Sequence, residues 1–104
     1  DLEAMTPPAK LTATGEATWA ALWRLGASWI APGTEEPLVL AAAQQAEMLE
    51  VARRRHERTG SHATRGAVVA LRTSYRRSLR FLGFTDDEFE ALGAGDDPPP
   101  VDTP

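Results

Sequence analysis

Residues 34–60 read TEEPLVLAAAQQAEMLEVARRRHERTG, and this stretch sets the fold class. It carries a helix signal at each end. Thr34 is a good N-cap, Glu35 and Glu36 suit the positive end of the helix dipole, and Pro37 still falls in the tolerated first turn. Gly60 is a natural residue for leaving a helix, and Arg53, Arg54, Arg55 and Arg58 crowd the last turns, where cations complement the dipole. Between the ends, Leu38, Ala41, Ala42, Gln45, Met48, Leu49 and Ala52 recur at helical spacing toward His56. Leu40 and Val51 fall on the far side. A helix with apolar groups on two sides contacts two neighbours, so Leu40 and Val51 are the expected contact between copies of a homo-oligomer.

Both flanks repeat the helical pattern. Upstream, a helix is expected over about residues 14–29. Trp19, Leu22, Trp23 and Ile30 share one face, Leu25 and Trp29 widen it, and Gly26 lies within it. Downstream, a polar connector at residues 61–64 leads into a third helix ending near Leu82, with the stripe Val68, Leu71, Tyr75, Leu79 and Leu82. Gly83 stops it. Thr85 and Glu88 then form a capping box, and Phe84 with Phe89 a hydrophobic staple, for a short helix that closes at Gly93. Eighteen alanines against six valines and isoleucines favour helix over strand, and no run alternates with period two. The expected fold is all-α: three main helices and a short C-terminal one.

Residues 11–93 form the expected helical domain, after a flexible segment at 1–10. Residues 94–104 read as a disordered, acidic, Pro-rich tail that offers nothing to bury. A core this small is marginal alone, a second reason to expect self-association. The longest strictly apolar run, residues 38–43, is six residues; a membrane span needs ~20. Residues 1–5 are acidic and lack the apolar core of a signal peptide. A cytoplasmic protein with no membrane contact is the expectation.

The formal net charge of −4 conceals an uneven distribution. Residues 51–84 carry nine arginines against one acid, Glu57, whereas residues 85–104 carry seven acids and no base. Arginines outnumber lysines ten to one. Guanidinium groups match phosphate oxygens with paired donors. Arg53, Arg54, Arg55, Arg58, Arg65, Arg72, Arg76, Arg77 and Arg80 are therefore the candidate contacts to the backbone of duplex DNA. Arg72, Arg76 and Arg80 recur at four-residue spacing on one side of the third helix, with Arg77 beside them.

Catalytic chemistry finds little support in the residues. There is no cysteine, and His56 and His62 match no metal-ligand spacing. Asp86, Asp87, Glu88 and Glu90 are explained by a helix start. Trp19, Trp23 and Trp29 read as core. No phosphate loop or nucleophile elbow is present. A small all-helical enzyme of the chorismate-mutase kind leans on a lysine in its pocket, and the one lysine here, Lys10, lies in the N-terminal segment. No cofactor, metal or catalytic residue is expected.

The order of features resembles the phage terminase small subunits. Residues 11–19, Leu-Thr-Ala-Thr-Gly-Glu-Ala-Thr-Trp, and the Ala-Leu-Trp ending at Trp23 are similar to the family's polar opening before a helix bearing Trp and Leu. An acidic turn, an Ala-rich helix and Arg65-Gly66-Ala67-Val68-Val69 follow. Leu82-Gly83-Phe84-Thr85 resembles the family's leucine–glycine–leucine–threonine–proline ending, with Phe84 for the second leucine and Asp86 for the proline. The chain departs from the family in its short connector at residues 61–64 and in lacking a proline early in the third helix. The resemblance implies a non-catalytic subunit that forms rings in the bacterial host cytoplasm. Such a subunit recognises viral DNA and recruits the terminase large subunit, an ATPase and nuclease. The rival expectation is an oligomeric helical adaptor that binds protein and not DNA.

Overall fold

In the computed structural model, residues 6–96 are described, and they are all-helical with no strand. The elements are α1 (Ala13–Leu25), α2 (Pro32–Thr59), α3 (His62–Phe81) and α4 (Asp86–Phe89). At 28 residues, α2 is the longest, and both α1 and α3 pack against it.

Helix α1 begins where Thr12 Oγ1 accepts from the Gly15 N–H at 3.3 Å. The Thr12 N–H donates to the Glu47 carboxylate of α2, and a Cβ at Gly15 would collide with that carboxylate. The helix ends at Leu25, with Gly26 as its cap, four residues short of the extent its apolar spacing suggests. Ile30 folds back over Gly26 and occupies the space a Cβ would need there. Trp29 therefore leaves the α1 face. Its indole N–H donates to the Leu82 carbonyl at 2.7 Å, and its ring meets Phe84 edge-on at 5.2 Å. Trp19 and Trp23 stay in the core, T-shaped with centroids 5.6 Å apart.

Helix α2 starts at Pro32, earlier than its Thr34 signal suggests. The Glu35 carboxylate reaches back to accept the Ala31 N–H at 3.0 Å, and Pro32 needs no hydrogen bond at the first position. Pro37 consequently lies inside the helix, one turn from its exposed start. The buried face is Val39, Ala42, Ala43, Ala46, Leu49 and Ala52. This is rotated from the stripe read in sequence: Leu38 and Met48 are exposed. Small residues on this face let α1 and α3 approach closely, and Trp19, Leu22, Trp23 and Tyr75 supply the bulk. Leu40 is half-buried against the core of its own chain, whereas Val51 is 59% exposed.

The α2–α3 link is shorter than a four-residue connector. Gly60 takes the left-handed conformation at φ +61°, and Ser61 at once caps α3, accepting from the Thr64 N–H at 3.2 Å. Residues 62–64 are already helical. The α3 stripe is as expected: Val68, Tyr75, Leu79 and Leu82 are buried and Leu71 packs on the core. Gly83, at φ +100°, turns the chain, and the capping box of Thr85 and Glu88 opens α4. Phe84 and Phe89 are both buried, as a staple requires.

The core does not end at Gly93. Ala94 is fully buried, its N–H donates to the Phe89 carbonyl at 2.7 Å, and the Tyr75 hydroxyl donates to the Leu92 carbonyl at 2.6 Å. The expected tail is thus ordered at its start, through Asp96. Its remainder, residues 97–104, and the first five of the expected flexible segment lie outside the described residues. No helix among the described residues is long and apolar enough to cross a membrane.

Candidate nucleic-acid interface

The nine arginines of the basic middle sort into three settings. The first faces the chain's own C-terminal turn. Arg53, on α2, donates from Nη1 to the Gly93 carbonyl at 2.9 Å and from Nη2 to the Gly95 carbonyl at 3.3 Å. Arg76, on α3, donates from Nε to the Ala94 carbonyl at 2.5 Å and from Nη2 to the Asp96 carboxylate at 2.8 Å. Two helices therefore hold three consecutive carbonyls and a carboxylate. Arg76 and Arg80 also lie over the Phe89 ring, at 5.7 and 5.1 Å, and Arg80 pairs with Asp86 at 3.4 Å.

Electrostatics at this strap follow from its geometry. The hydrogen bond from Arg76 holds the Asp96 carboxyl below the usual carboxylate range, helped by the charges of Arg76 and Arg72. Arg72 is half-buried nearby on α3. Beneath them, burial pushes the Tyr75 phenol well above its ordinary value, partly offset by a hydrogen bond with Thr18 and the charge of Arg53. Tyr75 is a donor in a dry site, not a titrating group.

The second setting is an ordinary helix-surface pair, Arg54 with Glu50 at 2.9 Å. Such pairs contribute little to stability.

The third setting is open. Arg55, Arg58, Arg65 and Arg77 are exposed, and their guanidinium groups hold no ion pair or hydrogen bond among the described residues. Arg55 and Arg58 end α2 and Arg65 begins α3, so these three gather at the α2–α3 corner; Arg77 lies three turns farther along α3. The corner itself is pinned. His56 Nδ1 and Thr64 Oγ1 lie 2.8 Å apart, and Thr64 Oγ1 also meets the hydroxyls of Ser61 and Thr59 at 3.0 and 3.2 Å. His56 is thus a half-buried structural histidine. Thr64, which a polar connector would leave idle, is the centre of this network.

The nine candidate arginines therefore do not form one belt. Helix α3 turns Arg76 and Arg80 toward the C-terminal turn, while Arg58 and Arg65 face solvent together. Nothing in the sequence marks Arg53 and Arg76 apart, because their partners are chiefly backbone carbonyls. No group of His, Asp or Glu among the described residues is placed to hold a metal ion. Comparison of the chain with protein-family profiles, with characterised proteins and with solved structures gives no match.

Proposed function

We propose that this chain is a non-catalytic DNA-binding subunit that acts as a homo-oligomer. In the fuller form of the proposal it is the small subunit of a viral packaging terminase, holding viral DNA and recruiting the large ATPase-nuclease subunit in the host cytoplasm. The observation that carries the DNA-binding part is the corner of Arg55, Arg58 and Arg65. These are three exposed cations flanking a turn pinned through Thr64, and they hold no ion pair among the described residues. An ordinary helix surface mixes signs, since opposite charges one turn apart stabilise it. The corner's one acid, the exposed Glu57, forms no ion pair with the three among the described residues, which leaves their guanidinium groups available to phosphate. Contacts of this kind position a duplex without reading its sequence. The packaging role rests on the order of sequence features alone.

One observation favours the adaptor reading. Arg53, Arg76 and Arg80 are engaged within the chain, as expected of a protein whose basic middle serves to bind its acidic end. The two readings separate in one experiment: fluorescence anisotropy of a labelled duplex at low salt. The DNA-binding reading expects saturable binding that competes equally with unrelated duplexes. Absence of binding at low salt leaves the adaptor reading.

A further inference from the structure

Glu47, Val51 and Arg55 follow one another at i, i+4 and i+8 on α2 and share one face. All three line an open groove of about 460 Å³ between α2 and α3, together with Met48, Ala67 and Leu71. Met48 and Val51 are more than half exposed, although their surroundings are mostly apolar. One Glu47 oxygen takes the Thr12 N–H; Arg55 holds no partner among the described residues.

The order acid, apolar, base has a simple symmetry. Lay two copies of α2 antiparallel with Val51 at the crossing, and Glu47 of each copy meets Arg55 of the other. Lay them parallel, and like charges meet. We propose that this groove is a two-fold contact between two copies of the chain, centred on Val51. The contact is isologous, so the same patch serves both partners and the pair closes on itself; by itself it gives a dimer and not the ring that the resemblance implies. Burial of Val51 and Met48 supplies the attraction, and the two Glu47–Arg55 pairs at the rim fix the antiparallel direction. The inference rests on the homo-oligomer reading and takes Arg55 out of the phosphate corner, leaving Arg58 and Arg65 exposed there; its test reads self-association alone.

A residue on a two-fold axis faces its own copy, and a disulfide forms only when the two Cα atoms lie within about 7 Å. The chain has no cysteine, so Val51→Cys can be oxidised cleanly. The expected result at tens of micromolar is a covalent dimer for Val51→Cys and little for Val69→Cys, an exposed α3 position outside the groove. Arg55→Glu should weaken the pair by about tenfold at low salt in sedimentation analysis. Association without the Val51→Cys cross-link would mean a head-to-tail contact elsewhere and would overturn the proposal. So would a monomeric wild type at the same concentration, or an Arg55→Glu chain that associates as well as wild type.

Discussion

Arg76 donates from Nε to the carbonyl of Ala94, and so ties the C-terminal half of α3 to the last buried residue of the C-terminal turn. A side chain that composition would assign to DNA is thereby part of the fold.

Arg76→Ala should consequently behave as a core-adjacent mutation. It removes two charge-assisted hydrogen bonds and the cover over Phe89. The bond to the exposed Asp96 adds little, whereas a charge-assisted bond to a part-buried carbonyl contributes about 1.5–3 kcal/mol, so a loss of roughly 2 kcal/mol in urea unfolding is expected. Arg58→Ala, at an exposed position, should stay within about 0.5 kcal/mol of wild type. Equal stabilities for the two variants would contradict the strap.

The strap also carries a pH dependence. Arg76 lowers the folded-state pKa of Asp96. The resulting stabilisation is present above the ordinary carboxylate pKa of about 3.9 and is lost as pH falls through the lower folded value. Asp96→Asn should therefore melt lower than wild type at neutral pH, with the gap closing in strong acid. Because Asp96 is exposed, high salt should narrow the gap as well. A gap unchanged in acid would place the effect elsewhere.

Gly83 combines a left-handed backbone with a close neighbour. Its φ of +100° disfavours any L-residue, and a Cβ would sit 2.8 Å from Trp29 Nε1. Gly83→Ala should cost at least about 2 kcal/mol, strain and lost hydrogen bond together. Trp29→Phe, which removes only the bond to Leu82 and part of a half-exposed ring, should cost less, about 1 kcal/mol. Chemical denaturation of both variants gives the order, and the reverse order would refute this account of the turn.

How much of this was legible in sequence depended on how local each cause was. The α3 stripe, the Thr85–Glu88 capping box and the exit at Gly60 were all readable, because each is fixed by residues within a turn or two. The buried face of α2 was not. Ala41, Ala42, Ala43 and Ala46 give almost no contrast around the helix, so the tryptophans of α1 and the α3 stripe decide which side is covered. The end of α1 was missed for a similar reason: Trp29 fits the helical spacing, but its bond to Leu82, 53 residues away, draws it off. Among the arginines, the exposure of Arg58 and Arg65 near a glycine turn could be read. The engagement of Arg53 and Arg76 could not, because backbone carbonyls at residues 93–95 leave no mark in composition.

The most direct test of the central claim is the salt dependence of duplex binding, compared between wild type and an Arg58→Ala, Arg65→Ala double variant of unchanged stability. If the α2–α3 corner grips phosphate, affinity falls steeply with salt, and the double variant lowers the log–log slope by roughly 1.8, two contacts at about 0.9 each. The loss should be alike for unrelated sequences. An unchanged slope in the double variant, or no binding by the wild type at low salt, would contradict the claim.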